Sequence, residues 1–186
     1  DFTINAMSED TQGRVYDYFD GQKDLKSRTL AFVGNPEVRI KEDYLRILRF
    51  FRFRARLGFS GSGPTLNCVR DNLDGLIAVS RERITSEMLE ILGYTKISGI
   101  CREMVETGVF DAILPSFGHL STEGRGLFVD IQSRIESFDS DKLALCRIAS
   151  ALILTSLFPK DIDQRRHPVF DRDHFQKIYK LSKKQT

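Results

Sequence analysis

Gly34-Asn35-Pro36 divides the chain into two textures, and that division limits the possible folds more than any other feature. Proline removes a backbone donor and glycine loosens the chain, so the triplet ends whatever ordered element precedes it. Before it, apolar residues come in short alternating runs. Phe2-Thr3-Ile4 reads as a short extended piece, and Arg14-Val15-Tyr16-Asp17-Tyr18-Phe19 as an aromatic-rich strand. Asp20-Gly21 reads as a turn, and 29–33 as a further strand. After the triplet the apolar period is that of helices. The spacing predicts one helix from about residue 36 or 39 to 57, with Tyr44, Ile47, Leu48 and Phe51 as its buried stripe and Gly58 as its stop. Residues 60–64 read as a loop. Further helices are expected at about 64–73, at 81–92 behind Ser80, and at 96–107, 123–138, 142–158 and 171–182, with a turn around Pro115. The expected fold class is mainly α, with a small β-containing region ahead of a string of helices. Boundaries are expected near 34–37 and 118–124.

A chain of 186 residues suits one ordinary domain or two small ones, and 41% hydrophobic residues suit a packed core. No apolar run reaches the roughly 18 residues of a membrane-spanning helix. The most apolar stretch, 143–158, carries Arg147 and ends at Pro159, so it reads as a core helix. The first residue is Asp1, with no charged-then-apolar leader before it, which leads to the expectation of a fragment or a processed chain. Cys68, Cys101 and Cys146 form no disulfide framework or metal-ligand spacing, which fits a reducing compartment. His119, His167 and His174 show no ligand spacing either, and Asp173-His174 reverses the order that a metal phosphohydrolase needs. Phosphate-loop and dinucleotide glycine patterns are absent.

The total charge is +2, yet residues 39–56 hold seven basic residues against two acidic ones, a local balance of +5. A second basic region runs over 160–184. Such patches suit a phosphate-rich partner, and they equally suit a solvated helix face.

Glu42-Asp43-Tyr44-Leu45-Arg46-Ile47-Leu48-Arg49 is the strongest local signal. On a helix, Asp43 and Arg46 stand three apart and share a side. A carboxylate only accepts hydrogen bonds, and a guanidinium only donates them. Side by side they form an acceptor next to a donor, which complements the amino group and ring nitrogen of cytosine or adenine. Guanine and uracil present a carbonyl beside an N–H, the opposite order. The unpaired groups left by a wrong base supply discrimination. The same octet also serves an ordinary helix, since acids favour its first turn and Glu42 to Arg46 is an i, i+4 pair.

Four blocks in order resemble the class II tRNA nucleotidyltransferases (CCA-adding enzymes) and the related poly(A) polymerases. Asp1-Phe2-Thr3-Ile4-Asn5-Ala6-Met7 is similar to the end of the family's RRDFTINAM block. Residues 16–25 resemble its D-x-F-G-G-x-x-D-L block, with Asp20 where a Gly is usual. Val33-Gly34-Asn35-Pro36 followed by residues 39–49 resembles its E-D-x-x-R-x-x-R block, and residues 80–87 resemble the next one. The resemblance implies a division into a C-terminal remnant of the nucleotidyltransferase head (1–36), a helical neck that carries the nucleotide template (37–118), and a helical body and tail that bind tRNA (119–186).

It also implies roles. Asp43 and Arg46 match the amino-acid template that selects CTP or ATP, and Arg49 would support that pair or a phosphate. Asp1 and Asn5 match a block that contacts the sugar and phosphates. Residues 17–25 match a mobile element, for which Gly21 would supply backbone freedom. Arg81, Arg83 and Glu87 match a block that supports the template helix. Arg165, Arg166, Lys177 and Lys180 would join a phosphate track for tRNA, and Lys183 and Lys184 would extend it. The family's metal-binding G-G-x-V-R-D and D-x-D blocks have no counterpart here, so the resemblance implies that Mg2+ is held by a segment upstream and that this chain alone is inactive. Asp161 and Asp163 share the D-x-D spacing but sit in a polar loop. The phenylalanines at 50, 51 and 53 are expected in the core. The implied activity is CCA addition to the tRNA 3′ end from CTP and ATP. A poly(A) polymerase and a non-catalytic helical RNA-binding module are the alternatives. The implied setting is the bacterial cytoplasm, with the mitochondrial matrix second and no membrane partner.

Overall fold

The structure is a computed structural model that describes residues 2–61, 63–118 and 120–135. Asp1, the expected helices at 142–158 and 171–182, and Arg165, Arg166, Lys177 and Lys180 lie outside the described residues.

The chain opens with a 3-10 turn over Thr3–Asn5, then β1 (Ser8–Glu9) and β2 (Val15–Tyr16), which pair antiparallel. Helix α1 covers Gly21–Ser27, and β3 is Thr29–Leu30. Helices α2 (Pro36–Glu42) and α3 (Arg46–Leu57) follow, then β4 (Ser60–Gly61) and α4 (Gly63–Asp71). A 3-10 segment over Leu73–Ala78 leads to α5 (Arg81–Gly93) and α6 (Ser98–Thr107). The described part ends with α7 (Val109–Ile113), α8 (Pro115–Gly118) and α9 (Thr122–Ile135). The mainly α expectation holds, with two small sheets.

Three local expectations give way. Residues 2–33 are less β-like than their alternation predicts. Phe2 bridges Phe32, but Thr3–Asn5 turns, the expected strands at 14–19 and 29–33 shorten to Val15–Tyr16 and Thr29–Leu30, and α1 fills the unassigned stretch between them from Gly21 on. The cause lies in Asp17, whose carboxylate accepts from the N–H groups of Gly21 and Gln22 at 2.8 Å each and so starts a helix. Second, residues 60–61 are not loop. They pair with β3 in parallel, Thr29 beside Ser60 and Leu30 beside Gly61. Third, the long helix over 36–57 is two helices, broken at Asp43.

One core joins these pieces. Phe2, Phe32, Phe50 and Phe51 are fully or nearly fully buried, and their rings form a chain with centroids 4.8 to 6.1 Å apart. Each such ring removes enough apolar surface from water to contribute about 1.5–3 kcal/mol. Phe53 packs at its edge, 5.3 Å from Phe2. The expected core role of these rings is met. Helix α3 packs most extensively on α5. Two buried or half-buried ion pairs tie α3 to its neighbours: Arg52 donates to Glu87 on α5 at 2.6 Å, and Arg54 makes a forked pair with Glu103 on α6. A second aromatic group, Phe110, Phe117 and Phe128, ties α7, α8 and α9 together.

Candidate functional site

Asp43 breaks the helix and thereby makes the site. Asn35 caps α2 by accepting from the Glu37 N–H at 2.8 Å, with Pro36 next in its first turn. Seven residues later Asp43 is extended, at φ −157° and ψ 105°. Its Oδ1 accepts from the Leu45 N–H at 3.1 Å, and its carbonyl accepts from the Arg46 N–H at 3.0 Å. A short acidic side chain can replace the helical ladder in this way, which is why the helix stops and restarts here. The ring of Tyr44 packs closely against Gly75. A Cβ at Gly75 would stand 2.0 Å from that ring, so only glycine lets the 3-10 segment approach the break.

The expectation that Asp43 and Arg46 share a helix face is therefore corrected. Arg46 begins α3 while Asp43 stands outside both helices. The two residues remain adjacent, since the Arg46 N–H bonds the Asp43 carbonyl at 3.0 Å, and the Arg46 charge lowers the Asp43 carboxyl. Partial burial pushes that carboxyl up. The Arg83 guanidinium, the Leu45 N–H and the Arg46 charge outweigh burial and hold it below the ordinary aspartate value. Asp43 is thus a carboxylate near neutral pH, with its side chain 30% exposed.

Arg83, from the first turn of α5, donates to Asp43 Oδ2 at 2.8 Å. This partner lies 40 residues away, and periodicity has no means of finding it. Only the block over 80–87 marks the region. Arg46 Nη1 donates to the Arg39 carbonyl at 2.6 Å and to Glu42. Arg39 in turn grips Glu42 through Nη1 at 2.9 and 3.1 Å and the Val33 carbonyl through Nε at 3.1 Å. Glu42 is held below its ordinary value by Arg46 first and Arg39 second. The expected Glu42–Arg46 pair forms, but across the break rather than within one helix. Arg49 sits half-buried one turn further along α3.

Asn5 lies elsewhere, exposed at the end of the opening 3-10 turn. That turn packs on α1. There Thr3 Oγ1 donates to Asp24 Oδ2 at 2.6 Å, which joins the first and second sequence blocks. A Cβ at Gly21 would meet the Thr3 carbonyl at 2.5 Å, so Gly21 serves close approach. The left-handed backbone belongs to Asp20, at φ 60°. That corrects the expected role of Gly21, and it explains why a glycine suits position 20. Aspartate tolerates the left-handed region better than most residues.

Among the described residues, no cluster of His, Cys, Asp and Glu could hold a metal ion. No described helix is long and apolar enough to cross a membrane.

Comparison with known proteins adds four findings. Residues 1–31 match the family described as "Poly A polymerase head domain", and residues 58–120 match "Probable RNA and SrmB- binding site of polymerase A". The mitochondrial CCA tRNA nucleotidyltransferase 1 of Danio rerio is 46% identical over 95 residues, 50% of this chain and 22% of that protein. The CCA-adding enzyme of Lacticaseibacillus paracasei is 40% identical over 111 residues, 59% of this chain and 28% of that protein. The crystal structure of the Bacillus stearothermophilus CCA-adding enzyme in complex with CTP superposes with a TM-score of 0.61 at 26% identity, covering 84% of this chain and 45% of that one. The chain thus matches only about a quarter of the length of these curated relatives.

Proposed function

The chain belongs to the family of CCA-adding tRNA nucleotidyltransferases and poly(A) polymerases, and on that premise we propose that the protein carrying it adds C, C and A to tRNA 3′ ends from CTP and ATP. The observation that carries the proposal is a carboxylate, Asp43, set beside the positive charge of Arg46 at a helix break, with both side chains partly exposed.

The residues divide the work. Asp43 accepts a hydrogen bond from the exocyclic amino group of cytosine or adenine. Arg46 donates to cytosine N3 or adenine N1, with its guanidinium oriented by Glu42 and the Arg39 carbonyl. Guanine or uracil would set a carbonyl against the carboxylate and an N–H against the guanidinium. Bonds to charged groups contribute about 1.5–3 kcal/mol each, so one mismatched contact costs roughly tenfold to a hundredfold in selection. Arg49 supports the pair or a phosphate, and Asn5 contributes to sugar and phosphate contacts from the head side. Two metal ions supply activation of the RNA hydroxyl and charge relief on the leaving pyrophosphate in this chemistry. No His, Cys, Asp and Glu cluster among the described residues fits them, and Mg2+ is proposed to be held elsewhere in the protein.

The division of labour along the chain follows the proposed domains: head remnant at 1–36, template-bearing neck at 37–118, and tRNA-binding body and tail at 119–186. Arg165, Arg166, Lys177 and Lys180 are proposed for the tRNA backbone. The proposed setting is the bacterial cytoplasm first and the mitochondrial matrix second, and the relatives include both a bacterial and an animal mitochondrial enzyme.

The test is product analysis. The whole protein is given a tRNA transcript lacking its last three nucleotides, with all four triphosphates, and the 3′ ends are sequenced. Addition of CCA and then arrest is expected. A long run of A assigns a poly(A) polymerase instead, and no addition by a protein with intact metal-binding blocks overturns the enzymatic reading.

A further inference from the structure

We propose that Arg83 is a positioning residue for base selection, fixing the direction in which Asp43 presents its carboxylate to the incoming base. This rests on the reading of Asp43 as a base-selecting group.

Asp43 stands at the break between α2 and α3, so no helical ladder holds its backbone on both sides. Two contacts aim its carboxylate instead: the Leu45 N–H on Oδ1 at 3.1 Å and Arg83 on Oδ2 at 2.8 Å. The first is local and follows the turn. The second comes from α5 and ties the direction of the carboxylate to the helix packed on α3. Each carboxylate oxygen has two acceptor sites, so both contacts leave room for a base amino group. They restrict where that amino group must stand.

Arg83 is not needed to dock α5. Arg83 and Glu87 are four residues apart and share a face of α5. Glu87 receives Arg52 from α3 with both side chains mostly buried. Arg83 is 52% exposed, and exposed ion pairs add little to stability. The placement of α5 is set by Glu87 and the apolar residues Ile84, Met88 and Ile91, all buried. Arg83 then uses that fixed helix as an anchor.

The charged groups around Asp43 are Arg83 from α5, Arg46 from α3 and, through Arg46, Glu42 from α2. Of these, Arg83 is the largest influence that lowers the Asp43 carboxyl. Removing it raises the value at which Asp43 gains a proton. A protonated Asp43 cannot present a free acceptor at both oxygens, so selection fails at a higher pH than in the parent.

The experiment is single-nucleotide addition by the whole protein and its Arg83→Ala and Arg83→Lys variants, with CTP and with UTP as the competing pyrimidine, from pH 3 to 9, a range that spans the ordinary aspartate value of 3.8. For Arg83→Ala the expected result is a rise of about tenfold in KM for CTP, the scale of one charge-assisted bond, with kcat at saturation changed far less. Selection of C over U falls in parallel, and the acidic limb moves to higher pH. Arg83→Lys restores the limb but only part of the selection, because a lysine keeps the charge without the planar fork. In an Asp43→Ala background, Arg83→Ala adds nothing further. Unchanged KM, selection and pH limb in Arg83→Ala overturn the inference. So does an equal loss in Arg83→Ala with and without Asp43. If Asp43→Ala itself keeps full selection, the base-reading role fails, and that outcome is separate from an Arg83 failure. Thermal unfolding separates a folding defect from either, and Arg83→Lys carries the test if the alanine variant does not fold.

Discussion

The two ends of α3 carry the same kinds of charge and use them differently. Toward its C-terminus, Arg54 is 5% exposed and locked to Glu103 and the Phe59 carbonyl, with its guanidinium over the Phe50 ring at 5.2 Å. Arg52 is nearly as deep, against Glu87. At the N-terminal end, Asp43, Arg83, Arg39 and Glu42 are one-third to one-half exposed. A buried pair must stay matched, because one partner alone is an uncompensated charge. A half-exposed pair contributes only about 0–1 kcal/mol, because water competes for both partners. The C-terminal end of α3 therefore holds helices together through matched buried charges, whereas the pairs around its N-terminal end remain in contact with water.

The contrast can be broken first at the buried end. Arg54→Ala is expected to lower stability by about 3 kcal/mol, read as a lower urea midpoint, since Glu103 loses its partner and the Phe50 ring its cover. A loss no larger than that of an exposed pair would remove the distinction between the ends. Gly75→Ala comes next, at about 2 kcal/mol, because the added methyl enters the Tyr44 ring and must push the helix break aside. That variant should also blur base selection, which separates it from a purely structural change. Gly21→Ala is expected to cost about 1–2 kcal/mol through its clash with the Thr3 carbonyl, measured by thermal unfolding. Asp43→Ala should change stability by less than about 1 kcal/mol while altering nucleotide choice. The smallest effect is expected for Asp20→Gly, within about 0.5 kcal/mol. Relief of the left-handed aspartate there is offset by the greater freedom of glycine in the unfolded chain.

Legibility in the sequence follows the range of the forces involved. The helices over α4, α5, α6 and α9 come from local apolar spacing, and that spacing shows them within a few residues. The aromatic core was equally readable, because Phe50 and Phe51 lie on the periodic face of α3. The break at Asp43 was not. Tyr44, Ile47, Leu48 and Phe51 keep helical spacing straight across it, so periodicity reports one helix where a single aspartate turn makes two. Residues 21–27 hid a helix for a related reason. Its start depends on Asp17 reaching forward, and its short length gives little period to count. β4 depended on β3, 30 residues earlier. The site was legible as a list of residue types and as a family resemblance. Its wiring was not, because Arg83, Gly75 and the Arg39 carbonyl reach the Asp43–Arg46 region through tertiary packing.

The central claim is that Asp43 and Arg46 choose the base, and nucleotide competition tests it most directly. The whole protein carrying Asp43→Ala or Arg46→Ala extends a tRNA transcript in an equimolar mixture of the four triphosphates, and the added nucleotides are counted. The account predicts that G and U enter at least about ten times more often relative to C and A in either variant, as expected for one lost charged hydrogen bond. Unaltered preference for C and A in both variants would contradict it.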